Sequence, residues 1–218
     1  MKTIKITFLT VALITLLFNG LYAQSLEIGD NIVSAGYGFP YIPSIIFSDY
    51  IDNPGFNLKT SVPYYLKFEH IFSDEVSMGI NFAYASNNGK YFEQFTQYNP
   101  ITGLSEPVSY LHKIDRVTFS ILFRANWYFA NDRKFYAYMG TGMGYRYAQW
   151  KISSTDPRDE QESFSDQIPF GFEVTMGAKY LLTDLFSIYG EVGLAKSPIQ
   201  IGVNLVIGTG KTEELKNH

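Results

Sequence analysis

The feature that most constrains this chain is a period of two in its apolar residues. It is clearest at 76–84, where Val76, Met78, Ile80, Phe82 and Tyr84 alternate with Ser77, Gly79, Asn81 and Ala83. It returns at 117–127, with Val117, Phe119, Ile121, Phe123 and Trp127 against Arg116, Thr118, Ser120, Arg124 and Asn126. It returns again at 170–180 and at 199–207. Successive side chains of a strand point to opposite faces, so each segment has one apolar face and one polar or small face. Eight such segments are read, at 31–39, 63–72, 76–86, 113–129, 135–150, 169–182, 185–195 and 199–208. Most reach the ~9–11 residues that a tilted membrane strand needs.

The connections alternate in length. Residues 40–62, 87–112 and 151–168 read as long loops, and 73–75, 130–134 and 183–184 as tight turns rich in Ser, Asp, Asn and Thr. A meander gathers its long loops at one end and its tight turns at the other. The connection at 196–198 breaks the rule, being short at the long-loop end. All nine prolines fall in the proposed loops or at the rims of the proposed strands, where a missing N–H would break no ladder.

Two eight-stranded barrels fit this pattern. A lipocalin-like barrel keeps its apolar face inside; an outer-membrane barrel keeps it outside. The polar face decides between them. A solvent face would be crowded with Lys and Glu, whereas this one is built mainly from small residues such as Ser34, Gly36, Gly38, Gly79, Ala83, Gly140, Gly142, Gly144, Gly177 and Gly202. Small residues suit the crowded interior of a narrow barrel. The other face is large and aromatic. Phe72, Trp127, Phe129, Phe135, Tyr180 and Phe186 would form one girdle beside the tight turns, and Tyr37, Phe39, Tyr84, Tyr145, Tyr147 and Phe170 another beside the long loops. The alternative for these aromatics is the core of a soluble sandwich.

The fold class expected is therefore all-β: an eight-stranded antiparallel up-and-down transmembrane barrel. An even strand number lets the first strand pair with the last, which removes the open edge that hydrocarbon does not tolerate. The charges on the small-residue face should then be luminal: Lys67, Glu69, Arg116, Arg124, Arg146, Glu173, Lys179 and Glu191. Both signs occur, so they can pair across the lumen and avoid the desolvation cost of a lone buried charge.

The first residues read as an address. Lys2 and Lys5 precede an apolar run from Ile6 to Phe18, and Ala23 offers a cleavage point, so 1–23 is expected to be a cleaved signal peptide. The barrel domain is expected over 24–210 and a polar tail over 211–218. With no cysteine, a disulfide scaffold and a thiolate metal site are excluded. With 46 % hydrophobic and 17 % charged residues, disorder is excluded as well. A net charge of −4 gives no reason to expect a nucleic-acid partner.

The chain resembles the small outer-membrane β-barrel domain family, related to the OmpA and OmpX barrels. The resemblance rests on Tyr22-Ala23-Gln24, on the strand from Phe135 through Gly140, Gly142 and Gly144 to Tyr145, on Ile188-Tyr189-Gly190-Glu191-Val192-Gly193, and on Ile201-Gly202-Val203-Asn204-Leu205. It implies a Gram-negative outer-membrane location, outer-membrane lipids as surroundings, and roles played by the outer loops.

The motifs that invite chemistry are weak. Gly140, Gly142 and Gly144 lack the spacing of a dinucleotide loop and share one strand face. His70, His112 and His218 share no metal-ligand spacing. A lipid deacylase would need a Ser oriented by His and a carboxylate, and His70 with Ser73 has the wrong spacing. No catalytic residue, cofactor or metal is assigned. The acidic loop holding Asp156, Asp159, Glu160, Glu162 and Asp166 reads as a solvated loop before it reads as a calcium site. Tyr91, Phe92, Phe95, Tyr98 and Tyr110 in the loop 87–112 are candidate recognition residues, with self-packing or strand extension as the alternative. Ile45, Ile46, Phe47, Tyr50 and Phe56 read the same way.

The expected function is non-enzymatic, with a side-chain-filled lumen. It would lie in membrane integrity, surface attachment or the binding of an extracellular or envelope protein through the long loops. The alternatives are an ion or small-solute channel, a lipid-modifying barrel enzyme, and a component of a secretion machine.

Overall fold

The computed structural model describes residues 26–40, 55–101 and 103–208 of the chain. The expected signal peptide at 1–23, the tail at 211–218, and Ile45, Ile46, Phe47 and Tyr50 lie outside the described residues. The strands are β1 (Asn31–Phe39), β2 (Asn57–Thr60), β3 (Tyr64–Ile71), β4 (Val76–Asn99), β5 (Leu104–Asn131), β6 (Phe135–Ser154), β7 (Glu162–Ser165), β8 (Phe170–Leu181), β9 (Phe186–Leu194) and β10 (Ile199–Ile207). Eight of them form a closed antiparallel ring, β1-β3-β4-β5-β6-β8-β9-β10, and the closing pair runs from Asn31↔Ile207 to Phe39↔Ile199. The two short strands are additions at one end, β2 on β4 and β7 on β6.

The alternation is turned inside out relative to a water-soluble barrel. On β3, Lys67 and Glu69 are buried while Leu66 and Phe68 are exposed. On β8, Glu173, Thr175 and Lys179 are buried while Phe172, Val174 and Met176 are exposed. The girdle residues Trp127, Phe135, Phe186, Tyr37, Tyr84 and Phe170 all face outward. A continuous apolar belt over a charged interior is the surface of a protein surrounded by hydrocarbon, which removes both the lipocalin-like barrel and the soluble sandwich.

The tight turns hold themselves. The Val76 N–H donates to the Ser73 hydroxyl at 3.0 Å, and the Phe186 N–H donates to that of Thr183 at 3.0 Å. Residues 26–30 tuck beneath this end: the Leu26 N–H donates to the Tyr136 hydroxyl at 2.7 Å, and the Gly29 N–H to the Ile71 carbonyl at 2.9 Å. Leu26, Ile32, Ile71, Tyr128, Tyr136, Tyr138, Leu181 and Val206 form an apolar plug there. The small-residue pattern of the inner face gives no sign of it.

The opposite end departs from expectation. Residues 87–112 are mainly strand rather than loop: β4 and β5 stay paired from Val76↔Trp127 to Asn99↔Leu104 and form one tall hairpin. The stretch beyond the outer girdle, 85–99, is roughly 50 Å of strand at ~3.3 Å per residue. Likewise β6 runs on to Ser154, and β7 pairs with its end, inside what reads as the loop 151–168. Beyond the hydrocarbon a ladder continues without needing an apolar face, so the period of two fades while the pairing persists. By contrast β9 and β10 end at Leu194 and begin at Ile199, so the wall is low on that side.

Candidate functional site

Parity along the strands brings six of the eight inward charges into one buried network. Arg124 on β5 donates to Glu173 at 2.9 Å and to both oxygens of Glu191 at 3.0 and 3.1 Å. Its remaining donors reach Asn126 at 2.7 Å and Thr175 at 2.8 Å. The Asn81 amide donates to both Glu173 oxygens at 2.8 and 2.9 Å. Lys67 pairs with Glu191 at 2.9 Å, and the Tyr138 hydroxyl donates to the same carboxylate at 2.7 Å. Lower down, Lys179 pairs with Glu69 at 2.6 Å, and Glu69 also accepts from the Ser77 and Tyr128 hydroxyls. Opposite charges this close, each with further hydrogen bonds, can offset the cost of leaving water.

The glycines of the inner face make the room. A Cβ on Gly140 would lie 2.2 Å from the Arg124 guanidinium, and one on Gly177 would lie 2.6 Å from the Tyr138 ring. Gly140 and Gly142 therefore make clearance for the network, whereas Gly144 makes clearance for the β5 backbone at Ile121 and Leu122.

Arg116 and Arg146 stand apart from it. Arg116 is buried nearer the mouth, its guanidinium 4.7 Å from the centre of the Trp150 ring. Arg146 is half-exposed and pairs with Asp166 at 2.9 Å. Between them the lumen is open: a cavity of about 480 Å³ is lined by Tyr65, Thr118, Ser120, Gly171, Glu173 and Lys196, among others. The expectation of a lumen filled throughout is corrected here. Ala83, Thr118, Ser120 and Gly171 are too small to fill the upper part.

The short connection at 195–198 folds into this mouth. Ser197 is fully buried, its hydroxyl 2.8 Å from that of Tyr65, and its N–H donates to the same oxygen at 3.1 Å. Lys196 reaches across the barrel to donate to the Ala83 carbonyl at 3.0 Å. Burial, with Arg146 and Arg116 nearby, pushes the Lys196 ammonium down to about 7. Parity says nothing about a turn residue, so neither Lys196 nor Ser197 is among the residues singled out by the alternation.

The five candidate aromatics divide by face. Tyr91, Phe95 and Tyr110 lie on the mouth side of the β4–β5 hairpin. Tyr91 stacks on His112 at 5.1 Å, and Phe95 meets Tyr110 at 5.4 Å. Arg158 lies over Phe95 at 4.5 Å and is held by Asp156 at 2.6 Å, which ties the acidic loop to the hairpin. That hydrogen bond lowers the Asp156 carboxyl from its ordinary value and raises the Arg158 guanidinium. Phe92 and Tyr98 lie on the outer side and are exposed. Of the histidines, His112 lies 3.1 Å from Glu93 and 3.8 Å from Asp159. His70 pairs with Asn31 at 2.9 Å, and His218 lies outside the described residues.

With a closed antiparallel ring, an apolar exterior and a paired ionic interior in place, the architecture is settled. The chain has the fold of the small outer-membrane barrels. Three solved structures of such proteins are similar to it. They are the attachment invasion locus protein Ail of Yersinia pestis (13 % identity, 83 % of this chain and 96 % of that one, TM-score 0.42), the outer membrane protein OprG of Pseudomonas aeruginosa (12 %, 85 % and 99 %, 0.44), and the N-terminal β-barrel domain of OprF of Pseudomonas aeruginosa (15 %, 85 % and 100 %, 0.34). The Ail structure is described in complex with the heparin analogue sucrose octasulfate. No protein-family model matches the chain, and no curated protein matches it in sequence.

Proposed function

We propose that this chain is a non-enzymatic barrel of the Gram-negative outer membrane that binds an extracellular or envelope protein partner through the ridge formed by β4, β5 and β6. The observation that carries this reading is the contrast between its two ends. Among the described residues, the lower lumen is occupied by the apolar plug and the Arg124 network. The upper end invests 24, 28 and 20 residues in three adjoining strands, far more than hydrocarbon requires. The ridge is braced from the mouth side by Arg158 and presents Phe92 and Tyr98 outward, with Ile101 exposed at its tip. Exposed aromatic and aliphatic side chains on a braced support suit recognition of another protein.

The test is a photo-crosslinking residue at position 98, compared in intact cells with one at Met176 on the apolar belt. Protein adducts at 98 and lipid adducts at 176 are expected. Lipid adducts at both positions would sink the proposal. A second reading, passage of ions, is opposed by the filled lower lumen. It would displace the first if the purified protein showed steady conductance in planar bilayers that rose in an Arg124→Ala variant.

A further inference from the structure

We propose that the cavity at the barrel mouth is a binding site for an amphiphilic anion, a carboxylate or phosphate head carrying an apolar chain. The head would sit among Arg116, Arg146 and Lys196, and the chain would leave sideways between β8 and the β9–β10 turn. Three observations place it there.

The first is volume. About 480 Å³ holds a polar head with the start of a chain, since one water occupies only ~30 Å³ of liquid.

The second is charge. Three cationic side chains line the space against one carboxylate, Glu173. That carboxylate is already engaged by Arg124 at 2.9 Å and by both hydrogen bonds from Asn81. Arg146 meets Asp166 at the rim. Lys196 is met by the Ala83 carbonyl rather than by an anion. Its lowered affinity for a proton, caused by burial and the two arginines, is what an incoming anion would reverse.

The third is the wall. Pairing of β8 with β9 starts at Val174↔Leu194, so Phe170–Glu173 have no partner strand on that side among the described residues. The gap is bordered by Ile168, Phe170, Phe172 and Leu194, all exposed and apolar. A cationic chamber with an apolar side exit matches a molecule that is anionic at one end and apolar at the other. Neither a simple salt nor a neutral alkane uses both halves of the site.

The side exit rests on the membrane-spanning reading, which the heat-dependent gel mobility of each sample checks separately. Trp150, stacked on Arg116, is the reporter, in a Trp127→Phe background that leaves it the sole tryptophan. The protein is placed in phosphatidylcholine nanodiscs and titrated with decanoate, decyl phosphate, decanol and inorganic phosphate. Saturable shifts of Trp150 emission are expected with decanoate and decyl phosphate, and binding about tenfold or more weaker with the other two. Lys196→Met and Arg116→Gln should each weaken decanoate by about tenfold while keeping heat-dependent mobility. Nanodiscs containing phosphatidylglycerol distinguish the source of the ligand. Loss of decanoate binding there assigns the site to a membrane lipid, and unchanged binding assigns it to a soluble amphiphile. Equal binding of decanol and decanoate, or decanoate binding unaffected in both variants, overturns the proposal.

Discussion

Arg124 grips Glu191 with two parallel hydrogen bonds of 3.0 and 3.1 Å, and the two residues come from strands on different sides of the ring. The contact is a strut across the lumen. Glu173, Lys67 and Tyr138 are tied to it, so its loss would leave several buried groups without partners.

Arg124→Leu should therefore lower barrel stability by about 3–5 kcal/mol, the range for a buried ion pair broken on one side. Glu173→Gln should cost less, because the amide oxygen can still accept from Asn81, and the strand content of the folded form should be retained. Urea titrations followed by the heated and unheated gel mobilities give the midpoints. Unchanged midpoints in both variants would show that the network contributes nothing to stability.

Gly38 and Ser197 should be coupled. A Cβ on Gly38 would lie 1.7 Å from the Ser197 hydroxyl oxygen, so the inward turn exists only because position 38 has no side chain. Gly38→Ala should destabilise by ~1–3 kcal/mol, as overpacking does, and Ser197→Gly in the same chain should recover most of the loss. Strictly additive effects in the double variant would count against the coupling.

Lys196 should give the barrel a stability that rises with pH. Its value is about 7 in the folded chain against 10.5 for the ordinary side chain. The unfolded chain therefore binds the proton more tightly, and the folded state is penalised fully below about pH 7. The penalty is relieved as pH rises from about 7 towards 10.5. Lys196→Met should flatten that rise in unfolding midpoints measured across the window. A parallel pH profile in the variant would remove Lys196 as its cause.

Asp156→Asn should loosen the acidic loop from the hairpin. Asp156 holds the Arg158 guanidinium and its N–H, and Arg158 in turn covers Phe95. Trypsin cleavage after Arg158 in intact cells should become several-fold faster in the variant. Equal rates would mean that the loop is anchored elsewhere.

Lipid determined how much could be read from the chain. Inside the hydrocarbon each residue must answer to one face or the other, so the parity of Arg124, Glu173 and Lys179 assigns them to the face opposite the apolar one. Outside it the constraint lapses, and Tyr91, Phe95 and Tyr110 read as loop while their strands carry on. The same parity is silent about turns, which hid Lys196 and Ser197. It also says nothing of size along the inner face. The apolar plug around Tyr136 and Tyr138 and the space above Glu173 depend on which large and small residues meet across the ring, and that follows from register rather than from period.

The unequal height of the wall has a consequence in the plane of the membrane. A barrel with a level rim looks the same from every lateral direction, and its rotation about the membrane normal is immaterial to its neighbours. Here β4 and β5 screen one flank while β9 and β10 leave the other low. The molecule thus has a front and a back, and its azimuth becomes a variable that an adjoining molecule can sense.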